Sequence, residues 1–390
     1  MPEFITIIGG VHLTAVPRET MGRFPQFDIG VIGEGEVTLV ELLRALEEKK
    51  DLKTVNGIIL REGGSLIITG PRDFIRDLDC LSMPAWDLLP PLARFYSTPA
   101  YSSGRTPSSS IIATRGCGMR CTFCFQGAFG KAIRMHSVDY ILRMIKMLYH
   151  TYGIRNIRIL DDNFLLKRSR VVEFCEKLIA EKMDLTFSCL SRVDTIDEEL
   201  SNLLKKSGCW QLIYGIESGS QKILDVVKKG ITTEQIEKAL KLTKKARIKS
   251  LGYFMIGFPT ETKHNIEETI AFSRRLPLDD FKMNILTPFP GSELYLSAEK
   301  YGYLNSDWQA MNMYTEPCFI PYGLTKDELL YYRRKAFRSF YIRPRIIFSY
   351  LKLIKHPAHL LKLCKGVKAL LKLWIHKSGK LSCNAFKGPF

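Results

Sequence analysis

The chain has 390 residues, room for two or three domains. It is 46% hydrophobic and 25% charged, which excludes disordered, collagen-like and coiled-coil classes. The net charge of +17 is unevenly placed: residues 331–390 carry fifteen Lys or Arg and no Asp or Glu, and residues 1–330 are nearly neutral. An anionic partner is therefore expected at the tail rather than over the body. The ten cysteines are too sparse for a disulfide framework. The N-terminus lacks a signal peptide's basic start and long apolar run. No apolar stretch is long enough to span a membrane. A reducing, cytoplasmic setting is the expectation.

Residues 4–8 and 28–32 read as strands ending in Gly9-Gly10 and Gly33-Glu34-Gly35. Residues 38–46 have helical spacing, and 57–60 with 65–69 read as a hairpin around Gly63-Gly64. Residues 71–107 are a proline-rich linker with few helix signals. From 108 onward the pattern is regular. Strand-like runs centre near Ile111, Ile157, Phe187, Leu212, Phe254 and Asn284. Amphipathic helices are expected at 137–150, 168–183, 196–207, 220–246 and 263–276. Six βα-type units are fewer than the eight of a closed barrel, so an open partial barrel is expected, with functional residues just after the strands. Residues 290–330 are mixed. The tail 331–376 reads as basic helix, with Lys352, Lys355, Lys362, Lys365 and Lys372 among Leu, Ile and Trp374. His356-Pro357 interrupts it.

Cys117, Cys121 and Cys124 form C-x3-C-x2-C immediately after the first of these six strands. A loop that turns back can bring three thiolates to one metal centre. Gly116 and Gly118 permit the backbone such a loop needs. Arg115 and Arg120 are expected to favour thiolate over thiol. Structural zinc sites take four ligands, usually in two pairs, and no second C-x2-C exists. His136, twelve residues on, is a candidate fourth ligand at a helix start. A ferredoxin-type cluster also wants four Cys. Three would leave one iron of a [4Fe-4S] cluster open to substrate or cofactor, which suggests catalysis over electron storage.

C-x3-C-x-aromatic-C, with Phe123 as the aromatic, resembles the signature of radical S-adenosylmethionine (SAM) enzymes. The resemblance continues along the chain. Asp161-Asp162-Asn163-Phe164 looks like the motif that holds the methionine amino group. Ser191-Arg192-Val193-Asp194 lies where the family often places a group on the SAM carboxylate. Gly215-Ile216-Glu217-Ser218-Gly219 resembles the glutamate motif near the ribose and amine. Gly257-Phe258-Pro259-Thr260-Glu261-Thr262 falls at the adenine-side turn. Thr287-Pro288-Phe289-Pro290-Gly291-Ser292 matches one branch of the family. Each also reads as ordinary structure: a turn and N-cap at 161–163, a surface pair of Arg192 with Asp194, a solvated Glu217, and Gly/Pro turns. The resemblance implies a [4Fe-4S] cluster on the three Cys and SAM on its open iron. Reductive cleavage would give methionine and a 5′-deoxyadenosyl radical that takes hydrogen from substrate. It also implies an electron donor such as flavodoxin or ferredoxin.

Residues 1–70 resemble the C-terminal part of a Rossmann-like cobalamin-binding domain, with Gly9-Gly10 and the D-I-G-V-I-G-E-G-E run of 28–36 as its matching pieces. Residues 79–90 resemble the linker of the same branch. The D-x-H-x-x-G cobalt-ligand motif does not occur, and His12 reads as a loop residue. Cobalamin is therefore a doubtful cofactor for this chain. Gly33-Glu34-Gly35 is not a dinucleotide fingerprint, because Thr38 replaces the third Gly.

The expected division is thus 1–70, a cobalamin-domain remnant; 71–107, linker; 108–310, an α/β partial (βα)6 barrel; and 311–390, a basic helical extension. The basic tail suits an anionic membrane surface, such as the inner face of the membrane, or simple packing on the barrel. Nucleic acid is less favoured, because aromatic interleaving is missing. The expected reaction is methylation, or cyclisation or rearrangement, of a hydrophobic small molecule such as a lipid or tetrapyrrole. The alternatives are an RNA-modifying enzyme of the same class and a non-catalytic iron-sulfur module for electron transfer or scaffolding.

Overall fold

The computed structural model describes residues 4–96, 105–313 and 316–351. The N-terminal part runs β1 (Ile7–Ile8), α1 (Val11–Ala15), α2 (Pro17–Arg23), β2 (Ile29–Val31), α3 (Gly35–Glu47), β3 (Ile58–Glu62) and β4 (Ser65–Ile68). They form a four-stranded sheet in the order β1-β2-β3-β4. Its first pair is parallel and the rest antiparallel. Ile29, Val31, Leu42, Val55 and Ile58 form its small core. Gly63 and Gly64, both at positive φ, close the expected hairpin.

Two expectations change here. The strand at 4–8 shrinks to Ile7–Ile8, with Phe4 and Ile5 exposed. His12 lies in α1 rather than a loop and meets Trp308 edge-on at 4.3 Å. The linker is more firmly seated than its prolines suggest. It contains α4 (Leu92–Phe95), and both Trp86 and Leu92 are buried in the main core. Pro99 lies outside the described residues.

The main unit alternates strands and helices: β5 (Ser108–Ile111), β6 (Thr114–Arg115), β7 (Arg134–Met135), α5 (Val138–His150), β8 (Asn156–Ile159), α6 (Arg168–Ala180), β9 (Thr186–Ser191), α7 (Glu198–Lys206), β10 (Cys209–Glu217), α8 (Gln221–Val226), α9 (Thr233–Lys245), β11 (Lys249–Ile256), α10 (Lys263–Arg275) and β12 (Asp280–Ile285). Six of these strands form one parallel sheet in the order β12-β11-β10-β9-β8-β5. Strands buried on both faces suit such a sheet. Along β10 only Trp210 and Gly215 are even partly exposed. Cys175, Cys189 and Cys209 fill the core as small apolar residues. Ser137 and Asp197 cap α5 and α7, and capping boxes at Thr232 and Thr262 start α9 and α10.

The single helix expected at 220–246 is broken. Lys228 and Gly230 adopt left-handed φ values of 55° and 65°, and the Thr232–Gln235 capping box starts the next helix. The break turns the backbone of Lys229 and Gly230 toward the C-terminal edge of the sheet, where Arg192 binds both carbonyls.

Beyond β12 come α11 (Glu293–Ser297), the antiparallel pair β13 (Gly302–Leu304) and β14 (Phe319–Pro321), α12 (Lys326–Tyr341) and α13 (Pro344–Leu351). Helix α12 packs on the sheet. Phe340 stacks on Phe281 of β12 at 4.8 Å, and the Tyr341 hydroxyl donates to Asp280. The near part of the basic tail is therefore a packed helix, and Lys335 pairs with Glu267 of α10. The Lys stripe, Trp374 and His356-Pro357 lie outside the described residues. Among the described residues no helix is long and apolar enough to cross a membrane. Replacing the fully buried Phe340 by Ala should cost about 3–5 kcal/mol, read as a lowered urea midpoint at unchanged slope. An unmoved midpoint would mean that α12 does not hold the sheet.

Candidate active site

Parallel pairing in consecutive order sets all six strand ends on one edge. The Cys loop follows β5, Asp161 to Asn163 follow β8, Arg192 follows β9, Glu217 ends β10, Gly257 follows β11 and Thr287 follows β12. The motifs picked from the sequence thus share one rim.

The Cys loop is closed at its neck by β6 and β7, which pair Arg115 with Arg134. Gly116 sits at φ 88°, with the Ala132 and Gly130 carbonyls where a Cβ would stand. The Cys117 amide donates to the Gly130 carbonyl at 3.3 Å. Further along, the Thr122 amide donates to the Val227 carbonyl, and the Leu294 amide donates to the Thr122 carbonyl. Phe123 packs against Phe258, with ring centroids 5.9 Å apart, and fixes the loop to the core below it.

All three thiols are free. Burial raises the Cys121 thiol; Lys229 and Arg192 pull it down, while Glu217 and Cys117 push it up. Burial pushes the Cys124 thiol up to about 11, helped by Asp162 and the other two sulfurs. The three sulfurs therefore act on one another, and Asp162, Glu217, Lys229 and Arg192 stand around them. The two arginines expected to act on the thiols are placed otherwise. Glu34 and Glu36 engage its guanidinium, and Arg120 is exposed. His136 is engaged by Asp79 at 3.0 Å and stacked on Tyr140, so it belongs to the linker's anchorage.

Three thiols on one loop are the donor chemistry an iron-sulfur cluster takes, with one ligand short of four.

The remaining candidates divide by what their side chains already do. Asp161 is buried and accepts from the Ala113 amide at 2.6 Å; burial raises its carboxyl to about 6. Its Oδ2 has no hydrogen-bond partner, nor does the neighbouring Asn163 Nδ2. Arg192 is buried, not at the surface. It forks onto Asp194 at 3.0 and 2.9 Å and donates to the Lys229 and Gly230 carbonyls. Glu217 is 8% exposed, so it is not solvated; it sits at φ 68° and pairs with Lys229 at 2.7 Å. A Cβ on Gly215 would lie 2.7 Å from Glu217 Oε1 and 3.0 Å from Lys229 Nζ, so glycine there leaves room for the pair. The Ser218 hydroxyl is committed to Thr269 and the Ser220 amide. Gly257, at φ 89°, donates its amide to Glu261, and Pro259 beside it is buried.

A model described as the radical SAM superfamily matches residues 111–273. The chain is also 34% identical over 373 residues to an uncharacterized methyltransferase of Pyrococcus horikoshii, covering 94% of this chain and 78% of that protein. The chain belongs to the radical SAM superfamily. As a radical SAM enzyme it is implied to use a [4Fe-4S] cluster and SAM. It is 28% identical over 357 residues to an anaerobic magnesium-protoporphyrin IX monomethyl ester cyclase of Cereibacter sphaeroides, covering 90% of this chain and 57% of that one. The fold of apo OxsB, a cobalamin-dependent SAM radical enzyme, matches with a TM-score of 0.68 at 20% identity, over 94% of this chain and 58% of that one. The chain thus spans little more than half of the cyclase and of OxsB.

Two site residues escaped the sequence. Lys229 was hidden inside the expected long helix; the Gly230 and Thr232-x-x-Gln235 signals could have exposed the break. Glu261 lies within the Gly257–Thr262 turn, and no spacing signal marks it. It is fully buried, accepts from the Gly257 and Phe258 amides, leaves Oε1 unpartnered, and is raised by burial to about 8. Its folded-state value lies above the ordinary glutamate range. Between that range and pH 8 the folded chain keeps a proton that the unfolded chain releases, so stability falls as pH rises. Glu261→Gln should therefore gain on the native chain from about pH 5 to pH 8 in urea melts. Parallel curves would contradict the raised value.

Proposed function

We propose that this radical SAM enzyme methylates, or cyclises or rearranges, a hydrophobic small molecule of the lipid or tetrapyrrole kind. The observation that carries the radical chemistry is the set of three thiols on the loop after β5, close enough to act on one another, with Glu217, Lys229 and Arg192 acting on Cys121 and Asp162 on Cys124. The substrate class leans on the relatives, one called a methyltransferase and one a magnesium-protoporphyrin ester cyclase.

In this reading residues 108–310 are a partial (βα)6 barrel, 1–70 a cobalamin-domain-like unit, 71–107 the linker and 311–390 the extension. A [4Fe-4S] cluster on Cys117, Cys121 and Cys124 would supply the electron that cleaves SAM to methionine and a 5′-deoxyadenosyl radical. The chain's own groups suit SAM's charges. Asp162 and Glu217 offer acidic partners for its ammonium and sulfonium, with Asp161 supporting from the end of β8. Lys229 offers a cationic one for its carboxylate, and Arg192 holds the backbone from which Lys229 reaches. Gly257 and Pro259 would shape the adenine side. Phe123 holds the loop, and Ser218 holds the turn after Glu217.

The electron would come from a small donor such as flavodoxin or ferredoxin. Peripheral attachment to an anionic membrane would rest on the stripe at 352–376. The test is anaerobic reconstitution with iron and sulfide, then dithionite and SAM, with 5′-deoxyadenosine as readout. The native chain should make it, and the triple variant Cys117→Ala/Cys121→Ala/Cys124→Ala should fall to background. A well-formed cluster that leaves SAM intact would instead support the electron-transfer or scaffold alternative.

A further inference from the structure

Glu34 lies between Gly33 and Gly35, after β2 and at the start of α3. Its side chain is 3% exposed. Both Arg134 and Arg115 donate to it, at 2.7–2.8 Å and 2.7 Å, and the Ile75 amide donates at 2.8 Å. Arg134 also donates to the Ile75 and Phe129 carbonyls and lies over the Phe74 ring. The carboxylate therefore gathers three pieces of chain: the linker, through Ile75, and the two strands β6 and β7. Arg115 and Arg134 are paired residues of those strands, so Glu34 grips the neck of the loop that carries all three thiols. A carboxylate so buried persists because two guanidiniums match its charge.

The N-terminal sheet meets the main unit elsewhere as well. Arg23 pairs with Asp307 at 3.1 Å, both half-exposed, and His12 meets Trp308. These contacts dock the unit without touching the neck. Docking and grip are therefore separable by mutation.

We propose that Glu34 is a positioning residue for the thiol loop: its carboxylate, reaching from the N-terminal sheet, holds the loop's neck shut so that Cys117, Cys121 and Cys124 keep one arrangement. The inference rests on the reading that these thiols form the metal-binding set. The N-terminal unit is then part of the cluster site even where it binds no cofactor of its own.

The full-length chain, stripped of iron and kept anaerobic, is alkylated with iodoacetamide, and each cysteine is followed by peptide mapping. Glu34→Gln keeps the shape and removes the charge, leaving Arg134 without a carboxylate and Arg115 with Glu36 alone. It should speed alkylation at the half-buried Cys117 and Cys121 roughly tenfold or more, because the loop opens more often, with a smaller change at the exposed Cys124. Asp307→Asn, which weakens docking alone, should leave those rates at the native level. The exposed Cys80 reports the reagent, and the buried Cys175, Cys189 and Cys209 report unfolding. Native rates at the three loop thiols in Glu34→Gln, with the core cysteines silent, would overturn the proposal. Should the core cysteines react, Arg134→Lys takes its place; it keeps the charge and loses the fork. Acceleration confined to the loop thiols then supports the grip, and native rates overturn it. Iron retained per chain after reconstitution is the second readout and should drop in Glu34→Gln but not in Asp307→Asn. Alkylation needs neither iron nor SAM, so a chain unable to cleave SAM would sink the reading above and leave this result standing.

Discussion

Everything at the rim depends on parallel pairing in consecutive order. Each strand must be followed by a return helix before the next can pair, so every strand end faces the same way. Six loops separated by up to 170 residues of sequence thereby meet along one edge. The first carries the thiols, the second Asp162, the third Arg192 and the fourth Glu217. No single segment holds a site; the sheet assembles it.

The rim's charges are arranged with few spare donors. Arg192 spends its guanidinium on Asp194 and on the carbonyls of 229 and 230. That fixes the backbone from which Lys229 reaches Glu217. Glu217 in turn accepts a left-handed backbone, unusual for a non-glycine residue, and Gly215 makes the space. Strain of this kind persists only where surrounding contacts impose it, and it concentrates at functional sites. The break between α8 and α9 serves the same end, because an unbroken helix would not turn 229 and 230 back toward Arg192.

The regular part of the fold was legible because hydrophobic periodicity is a local signal. Strands near Ile111, Ile157, Phe187, Leu212, Phe254 and Asn284 all occur, and the helices between them mostly keep their ends. The three-cysteine loop was legible because its spacing is compact. Long-range electrostatics were not. Sequence proximity set Arg115 and Arg120 beside the thiols, but Glu34, 81 residues from Arg115, takes its guanidinium. Arg192 was read against Asp194, and that pair exists, yet its burial came from tertiary packing. Lys229 was missed because a long amphipathic pattern masked a local break. Helices α1 and α2 were missed because five and seven residues are too few for a periodicity to show.

The central claim is that three thiols at this rim leave one iron open for SAM. Electron paramagnetic resonance of the dithionite-reduced, reconstituted chain tests it directly. The account predicts a [4Fe-4S]⁺ signal whose g values move when SAM is added, since the added ligand changes the open iron. A signal of the same cluster that stays unchanged at saturating SAM would contradict it.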